Sequence, residues 1–135
     1  MSLFRVFVIS GSALYAQTVR LNTTASNMAN VDSASSSTAN TYRARHPVFA
    51  TQLAAADEEA AGVDVLGIVE SQTPLRREYR PDHPLADQNG YVNMPNVNQV
   101  EEMANMISAS RSYQSNVEVL NTSKQMLMRT LALGD

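Results

Sequence analysis

Apolar residues recur with a seven-residue period near the start of the chain. One series is Phe7, Leu14, Leu21 and Met28, and a second series three residues earlier is Phe4, Gly11, Thr18 and Ala25. Two series with this offset mark one face of a helix that packs against another helix. The second series is mostly small, which lets the partner come close. We therefore predict a helix in residues 1–31.

A longer pattern of the same kind fills residues 96–135. Its two series are Met103, Ser110, Val117, Lys124 and Leu131, and Met106, Tyr113, Leu120 and Leu127. Asn98 is a candidate N-cap, and Glu101 follows it at capping-box spacing. A helix over residues 98–131 would be on the order of 50 Å long at ~1.5 Å per residue. Because that exceeds the ~35–40 Å width of a compact chain of this length, we expect it to pack against the first helix and against other subunits.

The middle of the chain, residues 32–95, contains all five prolines and is strand-like where it is regular. Residues 63–70 are rich in β-branched side chains, and residues 72–80 are predicted to return antiparallel to them. Pro74 favours an edge strand or a turn. Residues 54–61 fit either a short helix or a linker. Because a two-stranded element is marginal alone, we expect it to lean on the helices or on neighbouring subunits.

These three parts predict a mainly α protein whose long N- and C-terminal helices pair as a coiled coil around a small, hairpin-like β-rich centre. The charge pattern favours a first helix that is enclosed by other helices. Residues 1–41 carry only Arg5, Arg20 and Asp32 as charged residues. A solvated surface helix normally carries charge along its outer face.

Composition narrows the function. The net charge is −3, from 10 basic and 13 acidic residues, which disfavours binding to a nucleic-acid backbone. The absence of cysteine excludes thiolate catalysis, disulfides and cysteine-ligated zinc. The apolar stretch at residues 3–9 lacks the basic flank and length of a secretion signal. If the chain leaves the cytoplasm, we expect a route without signal-peptide cleavage.

The polar residues do not assemble into a catalytic, cofactor or metal site. His46 and His83 each precede a proline and read as solvated loop residues. Asp82, His83 and Asp87 match no established metal spacing. Glu101 and Glu102 point about 100° apart on a helix and complement its dipole. We predict no enzyme activity, no cofactor and no small-molecule substrate.

Short motifs at both ends resemble one family. Residues 25–30, Ala-Ser-Asn-Met-Ala-Asn, look like the Ala-Ser-Asn-Ile-Ala-Asn signature of bacterial flagellar rod and hook proteins. Residues 90–98, Gly-Tyr-Val-Asn-Met-Pro-Asn-Val-Asn, and the helix that follows through residue 113 are similar to a proximal rod member of that family. One departure is the serine-rich segment 31–41, where this family commonly has a Thr- and Gly-containing turn.

The resemblance implies a structural subunit of the flagellar basal-body proximal rod, which is part of the cell's motility machinery. The family's terminal helices line the rod axis as a coiled coil, and its subunits stack helically into a periplasmic drive shaft. The implied partners are other copies, other rod proteins, the protein that joins the rod to the membrane ring, and the type III export apparatus during transit. Ordering of the terminal segments would accompany assembly.

Two sets of residues follow as candidate sites. The predicted coiled-coil and assembly positions are Leu14, Leu21, Met28, Met106, Tyr113, Val117, Leu120 and Leu127. The family-motif residues are Asn27, Asn30, Pro95, Asn96 and Asn116, with the asparagines expected to cap helices or bond between subunits. Two alternatives stay open: another rod or hook family member, and a cytoplasmic helical chaperone or adaptor for type III export.

Overall fold

Two long helices and two small pairs of strands make up the computed structural model, which describes residues 3–53 and 60–134, with the backbone alone described at residues 60 and 61. The elements are α1 (Leu3–Ala29), β1 (Arg45–Leu53), β2 (Ala60–Glu70), β3 (Arg76–Tyr79), β4 (Tyr91–Met94) and α2 (Gln99–Ala132). Roughly half of the chain is helical, so the predicted terminal helices and β-containing centre are confirmed. Neither helix, within the described residues, is long and apolar enough to span a membrane.

The start of α2 is fixed by its cap. Asn98 is in an extended conformation, and its side chain accepts hydrogen bonds from the backbone N–H groups of Val100 (3.1 Å) and Glu101 (3.3 Å). These bonds satisfy two amides that have no partner inside the helix. Glu101 and Glu102 place negative charge on the positive end of the dipole. The predicted cap at Asn98 is therefore confirmed.

The helices lie side by side and run in opposite directions. The end of α1 and the segment before α2 both bond to the start of β1, through Asn27 and Asn96. Seven residues back from Asn27 along α1, the Arg20 guanidinium donates at 3.1 Å to the Oδ1 of Asn105, which lies nine residues past Asn96. Contacts that move backward along one helix and forward along the other define an antiparallel pair.

The strands β1 and β2 form a two-stranded antiparallel sheet, here called the ribbon. Its register runs from Arg45 opposite Glu70 to Leu53 opposite Ala60. A bulge falls where Val48 pairs with Gly67 and Phe49 with Val65, which leaves Leu66 unpaired. Gly67 adopts φ +154°, a conformation that side-chain-bearing residues rarely take. The ribbon contacts α1 on both strands, so α1 lies between the ribbon and α2.

The predicted pairing of residues 63–70 with residues 72–80 is wrong. Residues 60–70 pair with β1, whereas residues 76–79 pair with β4 in a separate hairpin. The turn around Pro74 carries the chain away from β2, because the Ser71 N–H closes onto the Ala44 carbonyl at 2.7 Å and ends the ribbon there. The predicted helix or linker at 54–61 lies outside the described residues except for 60–61, which begin β2.

The largest buried apolar residues lie where three parts meet, a region here called the junction: the helix ends, the β3–β4 hairpin and the Arg45–Glu70 end of the ribbon, here called the ribbon base. Its core is formed by Ala44, Val92, Met94, Pro95 and Val97, all of which are buried. The serine-rich segment joins it through Ser35, which exchanges two backbone hydrogen bonds with Asn93 (2.9 and 3.1 Å). The junction therefore contains residues in contact with each of the three predicted parts of the chain, the two terminal helices and the centre.

Candidate assembly interface

The predicted packing positions lie along the helix pair with unequal burial. Leu14, Leu21 and Met28 on α1 and Met106, Val117 and Leu120 on α2 are half-buried. Tyr113 and Leu127 are more open, at 37% and 38% exposed. Their role in assembly stays a prediction, since a residue that packs between subunits is open in a single chain.

The deepest positions of α2 form a seven-residue series one position earlier than the predicted one. Glu102, Ala109 and Ser123 are buried, and Asn116 between them is half-buried. Among the described elements α2 contacts only α1, so this series faces α1. Buried Ser10, Ala16 and Thr24 are among the residues that α1 contributes to its covered faces. The most buried residues of the seam within the chain are thus small or polar.

Large apolar side chains of α2 remain outside this seam. The exposed large apolar residues of α2 within this set are here called the outer stripe, although at 3.6 residues per turn they lie on more than one face of the helix. They are Val100 (76% exposed), Met103 (48%), Ile107 (54%), Val119 (45%), Met126 (54%), Met128 (52%) and Leu131 (65%). Phe4, Val8 and Tyr15 on α1 are also exposed. Many large apolar side chains exposed on the same elements mark an interaction site. Both helices therefore present surface suited to burial against other protein.

Asn27 is almost fully buried, at 1% exposed, and both polar atoms of its amide are hydrogen-bonded within the chain. Its Oδ1 accepts from the Tyr42 hydroxyl (2.8 Å) and from the Arg45 N–H (2.9 Å). Its Nδ2 donates to the Arg45 carbonyl at 2.8 Å. A buried amide whose donors and acceptors find partners stabilises one local geometry, because any other leaves polar atoms unpaired. Asn27 therefore fastens α1 to the start of β1.

Asn96 plays the matching part ahead of α2. Its Oδ1 accepts from the Ala44 N–H at 2.8 Å, just before β1. Its Nδ2 donates to the carbonyls of Thr73 (2.9 Å) and Ser71 (3.3 Å), just after β2, and to the Thr73 hydroxyl (2.9 Å). The preceding residue, Pro95, is buried in the junction. Asn96 therefore bonds to the chain on both sides of the ribbon, just before β1 and just after β2.

The other two motif asparagines bond within their own helices. Asn30 Nδ2 donates to the Ser26 carbonyl at 2.8 Å, which satisfies one acceptor at the end of α1. Asn116 Nδ2 donates to the Ser112 carbonyl, also at 2.8 Å.

The sequence did not identify the residues that hold the ribbon against α1 as partners of the asparagines or as a second contact. Arg45 offers its backbone to Asn27, while the Ser12 hydroxyl accepts from the Val63 N–H at 3.0 Å. Beside Ser12, Gly62 leaves no room for a side chain, since a Cβ there would lie 2.6 Å from Ser12 Oγ. Gly62 has no positive φ, so the close approach is what requires glycine. A glycine inside a strand pattern was the available signal.

The turn between β3 and β4 has a local charge network. The Tyr91 backbone N–H, together with that of Asn89 and the Arg77 guanidinium, lowers the pKa of Asp87 below its ordinary value of 3.8. The Arg77–Asp87 pair is 2.7 Å long, and Arg77 also stacks on Tyr91 with its Cζ 4.9 Å from the ring centre. This network shapes the hairpin next to the junction.

The described residues hold no group of three or more histidine, cysteine, aspartate or glutamate side chains placed to bind a metal. His83 Nδ1 accepts from the Leu85 N–H within its own turn. His46 is exposed on β1, where the prediction had placed it in a loop. The candidate functional features are therefore the exposed apolar surfaces and the hydrogen-bonded side chains of Asn27 and Asn96, here called the asparagine clamps.

Comparison with known proteins agrees with this picture. The family model described as Flagella basal body rod protein matches residues 8–34, and the model described as Flagellar basal body rod FlgEFG protein C-terminal matches residues 88–133. The chain is 53% identical to the flagellar basal-body rod protein FlgC of Salmonella typhimurium, over 99% of both chains. The FlgC proteins of Escherichia coli O157:H7 (53%, 99% of both) and of Buchnera aphidicola from Acyrthosiphon pisum (41%, 100% of both) are also similar. The chain belongs to the family of flagellar basal-body rod proteins.

Proposed function

We propose that this chain is a non-enzymatic structural subunit of the proximal rod in the bacterial flagellar basal body. The observation that carries the proposal is the outer stripe, seven large apolar side chains that are exposed on a 34-residue helix. Similarity to rod proteins over nearly the whole chain supports it. A stripe of this kind is best covered by the helices of neighbouring subunits, which present the same kind of surface.

In the assembled rod, the terminal helices act as a coiled coil. The seven-residue series on both helices support this arrangement, with Leu14, Leu21 and Met28 on one side and Met106, Val117 and Leu120 among the residues on the other. Within one chain the helices meet through smaller residues, such as Ala16 and Ala109. The larger side chains are half-buried in one chain, and their exposed parts are left to pack between subunits.

The partners follow from this arrangement. They are other copies of the chain, other rod proteins and the protein at the junction between the rod and the membrane ring, with subunits stacking helically into a periplasmic drive shaft. The type III export apparatus would carry the chain there without cleaving a signal peptide. The ribbon and the β3–β4 hairpin would form the outer part of each subunit, since the helices take the rod axis. This assignment divides the chain at residues 1–31, 32–95 and 96–135.

The test is to find where the chain resides. Basal bodies extracted in detergent would be analysed by quantitative mass spectrometry against known rod and ring components. We expect stable recovery of several copies per basal body. Recovery only from the cytosol, in complex with export substrates, would contradict the rod assignment and favour a chaperone or adaptor. Recovery with the distal rod or hook, and not with the proximal rod, would favour another position in the axial structure.

A further inference from the structure

We propose that Asn27 and Asn96 are positioning residues: together they fix the ribbon along α1, so that the ribbon and the helix pair meet neighbouring subunits as one rigid surface. The fixed position of the ribbon stands on contacts within the chain. Its consequence for neighbouring subunits rests on the proposed function.

Asn27 occupies the place that a neighbouring strand would take. Its amide accepts from the Arg45 N–H and donates to the Arg45 carbonyl, which is how paired residues bond in an antiparallel ladder. The bond from Tyr42 completes the acceptor side. The first residue of β1 is therefore paired with a helix side chain on one edge and with Glu70 on the other.

Asn96 holds the same base from the opposite helix. Its bonds to Ala44 and Thr73 span the residue before β1 and the segment after β2. Asn27 lies within three residues of the end of α1, and Asn96 lies three residues before α2 begins. The ribbon base is therefore held between two amides, one from each helix end, and tilting the ribbon would leave polar groups unpaired at both.

The far end of the ribbon reports whether this base is held. Between Asn27 and Ser12 the helix advances about 22 Å at ~1.5 Å per residue. The strand advances about 20 Å between Arg45 and Thr51, the partner of Val63, at ~3.3 Å per residue. The ribbon therefore lies along α1. A rotation of about 10° at the base would move its far end by about 3.5 Å over this strand length, enough to break the 3.0 Å bond from Val63 to Ser12.

The position of the ribbon matters because the ribbon itself exposes large apolar side chains. Leu53, Leu66, Ile68 and Val69 are 62%, 69%, 53% and 51% exposed. Two apolar surfaces on one rigid body engage a neighbour together, whereas two surfaces joined by a hinge must each be ordered separately. Holding the ribbon in place therefore favours simultaneous contact through the outer stripe and the ribbon.

The test uses the natural absence of cysteine. Ser12→Cys combined with Gly62→Cys introduces one pair whose Cβ separation is 3.2 Å in the present geometry, just below the ~3.5–4.5 Å range of disulfides. Ser12→Cys also removes the hydroxyl that a Cβ at position 62 would meet and that accepts from Val63, so the crosslinking rate then depends on how firmly the ribbon base is held. In the full-length chain under mild oxidation we expect this pair to crosslink. Adding Asn27→Asp turns the donor facing the Arg45 carbonyl into an acceptor. We expect crosslinking to slow by about fivefold or more, which corresponds to losing one buried hydrogen bond.

Asn30→Asp is the matched control, because Asn30 lies in the same motif but its amide bonds only to its own helix. We expect it to leave the crosslinking rate unchanged. Asn96→Asp should act like Asn27→Asp, and Tyr42→Phe, which removes one bond of three, should give an intermediate rate even where the aspartate variants fold poorly. Equal rates for Asn27→Asp and Asn30→Asp would overturn the proposal. Failure of the otherwise unaltered cysteine pair to crosslink would also overturn it.

A second arm tests the consequence in cells. Asn27→Asp should lower the number of copies per basal body, and oxidising the cysteine pair should restore it by replacing the clamp with a covalent bond. An unchanged copy number for Asn27→Asp would overturn the claim of one rigid surface. If even the unaltered chain is absent from basal bodies, the proposed function fails while the crosslinking result still decides the positioning role.

Discussion

The junction and the helix pair use apolar residues in opposite ways. In the junction, Val92, Met94 and Val97 are at most 4% exposed, and both polar atoms of the buried Asn27 amide are hydrogen-bonded beside them. In the helix pair, the most buried residues include Ser10 and Ala109, while large apolar residues of the outer stripe face outward. The junction thus resembles the core of a folded protein, whereas the helix pair resembles half of an interface.

This difference teaches which part of the chain is complete alone. Helices gain most of their stability from packing an apolar face. The distal half of α2 has little to pack against, since Ser123 is the only residue after position 120 that is buried among the described ones. We therefore expect the junction to be stable in the free chain and the distal helix pair to gain its stability from neighbouring subunits.

The largest effect is expected for Leu120→Asp. Leu120 is half-buried in the free chain and lies on the predicted seam, where a carboxylate would be buried without a partner. Rod incorporation and swimming motility should be lost, as measured by basal-body mass spectrometry and motility in soft agar. Asn121→Asp adds the same charge at an exposed neighbour and should be tolerated. Normal rod content with Leu120→Asp would contradict the seam.

Ile107→Asp separates packing within the chain from packing between subunits. Ile107 is 54% exposed, so the free chain should change in stability by no more than about 0.5 kcal/mol, as measured by urea unfolding. Rod incorporation should nevertheless fall strongly, because the outer stripe is interrupted. Ile107→Leu keeps the apolar surface and should assemble normally. Equal rod content for the two variants would show that this part of the stripe stays uncovered.

Met94→Ala tests the other side of the comparison. Met94 is 0% exposed in the junction, so its truncation should cost about 2–5 kcal/mol of unfolding free energy. Met128→Ala, at 52% exposed, should cost at most about 0.5 kcal/mol in the free chain. Urea unfolding of both free variants measures the contrast. Similar losses would mean that the outer stripe is already packed in the free chain.

Two glycines should respond to alanine with opposite signs. Gly90 has φ +81°, and a Cβ there would lie 2.8 Å from the Tyr79 ring, so Gly90→Ala should destabilise the junction by about 1–2 kcal/mol. A Cβ at Gly11 meets no described atom within 4 Å. Gly11→Ala should therefore stabilise α1 by about 0.5–1 kcal/mol. Thermal unfolding of the two variants would check the signs.

The smallest effect is an acid dependence confined to the hairpin. Because the Tyr91 N–H and its companions lower the pKa of Asp87, this carboxylate stabilises the folded turn above its unfolded pKa. That stabilisation is lost as the pH falls from about 3.8 through the lowered folded pKa. The Tyr91 amide resonance should report the loss in an NMR titration. Asp87→Asn should remove this dependence, whereas Asp82→Asn should retain it.

Local signals made the helices predictable. The seven-residue series, the cap at Asn98 and the absence of glycine and proline from residues 96–133 act over a few residues, and they indicated α2 to within about one residue at each end. The same periodicity did not reveal that Glu102 and Ala109 lie deeper than Met103. Burial in the pair depends on how closely the partner approaches, which the small residues allow.

Strand pairing and the asparagine clamps were harder to predict. The partner of residues 60–70 was misassigned because antiparallel pairing by the next segment is only a tendency, and the Ala44–Ser71 closure is a contact across 27 residues. Asn27 and Asn96 were identified as motif residues, but their partners Arg45 and Ala44 offer only backbone atoms. A backbone partner leaves no residue-specific trace in a single sequence.

The most direct test of the central claim is amide hydrogen exchange, compared between the free chain and the chain in intact rods. The account predicts that the junction amides, including those of Val92 and Met94, are protected in both states. It also predicts that amides of α2 beyond residue 120 exchange rapidly in the free chain and become protected in the rod. Equal protection of the distal helix in both states would contradict the claim that neighbouring subunits complete the helix pair.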